Sequence, residues 1–153
     1  MEKVFLIKRK IGRHPAISIQ VPPHEALIDT YLKHMYRPDM HVVVAHKSKV
    51  PNKIWERAFE DFDEEGNIEV NLEKAKKLYM QHFRFKRTKA LLRLDQDYCK
   101  YFDNKNQQKM DEIETQKQLL RDLPLTINLE TAQTVRDLEK MWPTEILGVL
   151  GEM

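Results

Sequence analysis

Apolar and polar positions change rhythm along this chain, and the changes mark out its elements. Val4, Phe5, Leu6 and Ile7 form a run of β-formers within residues 3–11, KVFLIKRKI. That run predicts a strand, and its KRK tail suits an edge or an exposed end. Ile17, Ile19 and Val21 alternate with polar neighbours and predict a second short strand, stopped by Pro22 and Pro23. Ala26, Leu27, Leu32 and Met35 recur at helical spacing, so a helix is predicted over residues 23–36. Residues 40–46, MHVVVAH, place three valines in a row, the pattern of a buried strand. Pro51 then opens a short helix through Trp55 and Phe59, and the acids and glycine of residues 63–67 predict a turn.

From residue 71 the rhythm becomes that of a long helix. Asn71 is a credible N-cap. Leu72, Ala75, Tyr79, Phe83, Ala90, Leu94, Tyr98 and Tyr101 fall at steps of three, four or seven and draw one apolar stripe, with a gap around Lys86 and Arg87. A polar turn is predicted at 103–107. A second helix follows over 108–122, with Met110, Ile113 and Leu120 on one face and Pro124 as its stop. Two such helices across a short loop predict an antiparallel pair. Thr134 and Asp137 are spaced for a capping-box variant that opens about two turns of helix, closed by Pro143. The last stretch holds Ile127, Leu129, Leu138, Met141, Trp142, Ile146, Leu147, Val149 and Leu150, more apolar groups than a free tail needs. The expected fold class is α+β. A small mixed strand/helix docking module spans 1–70, a long antiparallel helical hairpin 71–124, and a docking tail with a short helix 125–153.

Composition sharpens this picture. The chain has 153 residues, of which 33% are charged, and a mean hydropathy of -0.64. That is polar for a self-contained globule and points to elongation or burial against partners. The formal net charge is only +2, but it is uneven. Residues 71–93 hold Lys74, Lys76, Lys77, Arg84, Lys86, Arg87, Lys89 and Arg93 against the single acid Glu73. Arg84, Lys86, Arg87, Lys89 and Arg93, with Phe83 and Phe85 among them, could meet a nucleic-acid backbone. They could equally meet an acidic subunit, or Asp111, Glu112, Glu114 and Asp122 of the returning helix; protein contact ranks above nucleic acid. The single cysteine excludes an intrachain disulfide. No stretch is long and apolar enough for a bilayer, and the five-residue apolar run near the start is too short for an export signal. Assembly in a cytoplasm, without a membrane partner, is the expectation.

Candidate chemistry is sparse. Asp61, Asp63, Glu65, Gly66 and Asn67 follow the spacing of a calcium-binding loop, but Leu72 stands where the bidentate glutamate belongs. An acidic hairpin turn is the preferred reading. The six histidines show no H-x-x-x-H spacing and Cys99 has no ligand companion, so no metal is expected. Asp95 and Asp103 flank Cys99 on its helix face and disfavour a thiolate, which predicts a half-buried, inert cysteine. Phosphate-binding glycine loops and a nucleophile elbow are absent from the sequence. Neither an enzyme nor a cofactor is expected.

One block carries a family likeness. The stretch RFKRTKALLRLDQDYCKYFDNKN, continuing to IETQKQLLRDLP, resembles a helical segment common in tail-associated proteins of double-stranded DNA bacteriophages. Arg84, Arg87, Leu91, Leu92, Leu94, Asp95, Tyr98, Lys117, Gln118, Leu120, Arg121, Asp122 and Pro124 carry it, and DLEKMWP at 137–143 extends it. Asp97-Tyr98 stands where the fibre-linked form has an Asp-Trp pair. The resemblance implies a structural tail protein of the virion (baseplate, fibre attachment or another tail part) without enzymatic activity. A tail assembly chaperone that leaves the particle is the first alternative, and a small nucleic-acid-binding accessory protein the second. The implied partners are other tail or virion proteins, with a symmetric homo-oligomer within the particle. The expected interface residues are Arg84, Arg87, Leu91, Leu94, Tyr98, Lys117, Leu120 and Arg121 on the hairpin. Trp142, Ile146 and Leu147 add an apolar anchor.

Overall fold

The computed structural model describes residues 2–11, 14–35 and 37–152. The chain divides into two compact units, 1–75 and 76–153. It is a mixed α+β N-terminal region followed by longer helices.

In the first unit, β1 (Lys3–Ile11), β2 (His14–Gln20) and β3 (Met40–His46) form an antiparallel sheet in the order β2-β1-β3. The VFLI run explains that order. Successive side chains of a strand point to opposite faces, and Val4, Phe5, Leu6 and Ile7 are all buried. Only a central strand covered on both faces accepts four consecutive apolar residues. The KRK tail therefore does not mark an edge: Lys8 is half-buried and Arg9 exposed on a central strand. Phe5 and Ile7 pack with Ile28, Tyr31 and Leu32 of the helical stretch that includes α1 (Ile28–Met35), and with Met40, Val42 and Val44. Val4 and Leu6 point the other way, as do their ladder partners Ile19, Val43 and Ala45, all buried. The valine run of β3 sits at an edge, which leaves Val42 and Val44 only half-buried.

A 3-10 stretch, Lys53–Ala58, buries Trp55 and Ala58. Glu56 of this stretch accepts the Ile19 N–H at 3.0 Å, satisfying a backbone donor on β2. A second hairpin, β4 (Phe59–Phe62) with β5 (Ile68–Val70), was too short to leave an alternating pattern in the sequence. Its turn is the acidic segment read as a turn above. Gly66 has φ +81°, and a Cβ added there would lie 2.6 Å from the Ala45 Cβ, so the turn's backbone rests directly on β3.

Asn71 caps α2 (Leu72–Asp103) by accepting the Lys74 N–H at 3.0 Å. The turn contains Lys105 at φ 53° and ends at Asn106, which caps α3 (Gln107–Asp122) through the Lys109 N–H at 3.1 Å. Two 3-10 turns lead to α4 (Val135–Met141), opened by a reciprocal capping box between Thr134 and Asp137. A last short helix, α5 (Thr144–Leu147), ends at Gly148 with φ 76°. The second unit is thus more than a pair of helices. The tail belongs to the same unit as α3 and most of α2, because Trp142 packs on Tyr79 and Phe83. The unit boundary falls inside α2, after Ala75.

Gly66→Ala is expected to destabilise the protein by about 3 kcal/mol, combining left-handed backbone strain with the collision against Ala45. Urea denaturation of the purified variant measures this.

Candidate functional site

The second unit is organised around a cluster of aromatic rings. On α2, Tyr79 and Phe83 are one turn apart and fully buried. Trp142, at the end of α4, sits edge-on to both, with ring centroids 5.3 and 6.3 Å away. His82 lies 5.4 Å from the same indole. The polar atoms of the cluster are mostly satisfied. Tyr79 donates its hydroxyl to the Met141 carbonyl at 3.1 Å, and Trp142 donates its indole N–H to the Gly148 carbonyl at 2.8 Å. Burial pushes the Tyr79 hydroxyl pKa up to about 12. Deleting a buried indole of this kind typically costs about 3–5 kcal/mol. Lys86 also donates to the Glu152 carbonyl, holding the chain end beside α2.

This arrangement sets α5 beside α2 and α3 and leaves an open groove of about 840 Å³ between them. Ala90, Leu94, Leu120 and Leu147 form its inner wall. Leu92 and Leu119, each 58% exposed, and Ile146, 44% exposed, stand along it in water. Such a concentration of exposed aliphatic groups in one concave place is unusual for a free surface. Lys86, Lys89 and Arg93 line the α2 side, and Glu145 is the one carboxylate among the lining residues.

The basic block of the sequence is split by helix geometry. At about 100° per residue, Lys86, Lys89 and Arg93 fall on one flank of α2 and Arg84 on the far side. Arg87 lies over the Phe83 ring, 5.8 Å from its centroid, and its Nε is buried without a hydrogen-bond partner. The acids of α3 do not pair with these residues. Glu112 bonds Lys109, Glu114 bonds Lys117, and Asp111 and Asp122 accept from Gln107 and Gln118. The ion pair that joins α3 to α2 has the opposite polarity: Lys117 contacts Asp95 at 2.8 Å. Lys117 is only 7% exposed and lies over the Tyr98 ring, 4.7 Å from its centroid. The Asp95 carboxylate raises the lysine's pKa and keeps it charged despite its burial.

The structure therefore places the expected interface residues in several settings. Leu94, Leu120, Ile146 and Leu147 meet in the groove. Trp142 and Lys117 are buried within the unit, since ring packing and the Asp95 pair use them internally. Tyr98 and Leu91 are half-buried, and Arg84 and Arg121 are exposed outside the groove. Leu92 and Leu119 were overlooked as contact residues. Their signal was the leucine doublets 91–92 and 119–120, because neighbouring helix positions point about 100° apart and cannot both enter one core.

The calcium-like loop is closed on itself. Asp63 Oδ1 accepts the N–H groups of Glu65 and Asn67 at 3.0 and 2.9 Å, and Oδ2 accepts the Asn67 amide at 2.8 Å. These bonds lower the Asp63 pKa, led by the Asn67 side chain. Asp61 points to Lys8 instead. Among the described residues, no group of three or more His, Cys, Asp or Glu is placed to hold a metal ion, and no helix is long and apolar enough to cross a membrane. Cys99 is exposed and not half-buried, since it falls off the apolar stripe of α2.

Two expectations follow from this unit. Lys117→Met is expected within about 1 kcal/mol of the parent protein, whereas Lys117→Glu sets a third carboxylate beside Asp95 and Glu114 and should cost about 3 kcal/mol or more. Equilibrium urea unfolding separates the two. His82 has its pKa lowered, first by burial and then by Lys86. The unfolded chain therefore takes up this proton more readily than the folded one, so stability is full above the ordinary histidine pKa and declines as pH falls through it. Thermal melts between pH 7.5 and 5 should show that decline, and His82→Phe should flatten it.

No protein-family model, curated protein or solved structure matches this chain, so its function is read from the groove and the charge pattern themselves.

Proposed function

We propose that this protein works by protein–protein contact through its second unit. In this reading α2 and α3 act as an antiparallel helical hairpin and the tail forms one wall of its groove. The observation that carries the proposal is the open groove with Leu92, Leu119 and Ile146 exposed along it. Covering such apolar area gains about 25 cal/mol per Å², and the chain's own tail, docked beside it, leaves these residues uncovered. The first unit then serves as a second contact module. Contact, and not catalysis, is the proposed role.

The resemblance of residues 84–143 to phage tail segments supports a more specific setting. There the chain is a structural part of a bacteriophage tail, made in the host cytoplasm and packed in symmetric copies, so that modest contacts are multiplied by repetition.

Mass spectrometry of purified mature particles is expected to detect the chain. Its absence from particles whose tails still require it for assembly would identify a departing chaperone, and tails that form normally without it would overturn the reading. Leu119→Asp combined with Ile146→Asp is expected to keep the protein folded while cutting its incorporation about tenfold or more, as loss of a central apolar contact should.

A further inference from the structure

We propose that the groove of the second unit receives an acidic amphipathic helix from a partner protein. This rests on the contact reading above and adds the partner's chemistry.

Charge complementarity carries the proposal. The groove is lined by Lys86, Lys89 and Arg93 against the single carboxylate of Glu145. Lys86 donates to the Glu152 carbonyl. Lys89 and Arg93 are exposed and, among the described residues, have no carboxylate within 4.0 Å. Two unpaired cations beside an apolar wall favour a ligand that offers leucine-like groups on one face and carboxylates at its flank. The lining on α2 runs from Lys86 to Gln96, about 15 Å at 1.5 Å per residue. That length holds two to three turns of a helix laid along it, the helix-in-groove mode of recognition.

Other occupants fit less well. A nucleic-acid strand would want aromatic faces for its bases and cations tracking its phosphates. Here the inner wall is aliphatic and the cations stand on one side only. A second copy of this chain would have to supply the acidic helix. The acids of α3 share their helix with one exposed large apolar residue, Leu119, because Met110, Ile113 and Leu120 are buried in its own unit, so α3 offers no apolar face. Ile28, Tyr31 and Leu32 are likewise engaged on the sheet. Val135 and Leu138 of α4 are buried too.

The test uses the full chain and three fluorescent 16-residue helical peptides. One carries leucines at i, i+4, i+7 and i+11 with glutamates at the flanks. In the second, lysines replace the glutamates, and in the third, serines replace the leucines. Fluorescence anisotropy is expected to show the acidic peptide bound, with affinity falling as salt rises. The lysine and serine peptides should bind at least about tenfold more weakly, as one lost charge or apolar face predicts. Lys89→Glu with Arg93→Glu should reverse the preference between acidic and basic peptides, while circular dichroism confirms the fold. Equal binding of both charge types, no binding of the acidic peptide, or tighter binding of single-stranded DNA to the parent chain would each overturn the proposal. So would self-association, seen by sedimentation, that Leu119→Asp abolishes, because the occupant would then be a second copy. Normal particle incorporation of the charge-reversed variant would remove the acidic partner yet leave the contact reading standing. Normal incorporation of the Leu119→Asp, Ile146→Asp variant would remove that reading itself.

Discussion

Trp142 lies edge-on to Tyr79 and Phe83 and donates its indole N–H to the Gly148 carbonyl. One side chain thereby ties together a turn of α2, the end of α4 and the bend after α5. The Lys86–Glu152 contact and the burial of Leu147 and Leu150 also help to hold α5. The groove owes one of its walls to α5, so its shape depends on a residue that is not among those lining it. Gly148 serves the same end. Its positive φ with extended ψ is a conformation essentially reserved for glycine, and it aims the carbonyl at the indole.

The first unit follows a different constraint. Its sheet is ordered by β1, whose four consecutive apolar residues demand cover on both faces. The cover on one face is helical. Against β3 on the other lies the backbone of the β4–β5 turn, brought close because Gly66 has no side chain. An acidic turn that looks like an ion site in sequence is therefore a structural lid, with the Asp63 oxygens taken by N–H groups of its own loop.

The charges of this chain show how little a local count decides. Eight cations crowd residues 71–93, and five of them suggested a phosphate-binding patch. Helix geometry spreads them around α2, ring stacking occupies Arg87 and a carbonyl holds Lys86. Beside the apolar wall they leave a short cationic flank of Lys89 and Arg93. Lys117 took the reverse path, from apparent surface charge to a buried side chain that pairs with the exposed Asp95 across α2 and α3. Its ammonium is tolerated there because Asp95 and Glu114 compensate its lost hydration.

Local patterns determined much of this protein. The first and third strands, the long helix with its Asn71 cap, the turn near 104, the second helix and the Thr134–Asp137 capping box were all legible. Each depends on residues a few positions apart, where periodicity and capping chemistry act directly. The brief β4–β5 hairpin and four-residue α5 were not legible, being too short to show a period. Of the residues named as interface candidates, Leu94, Leu120, Ile146 and Leu147 line one groove, and Leu92 and Leu119, not named among them, line it too. Only the tertiary structure decided that β1 is central, that Trp142 and Lys117 turn inward, and that the doublet leucines stay in water. Those choices rest on contacts between segments far apart in the chain. There the competition for burial is settled by which surfaces meet, and a stripe of apolar residues looks the same in sequence whether its own tail or another protein covers it.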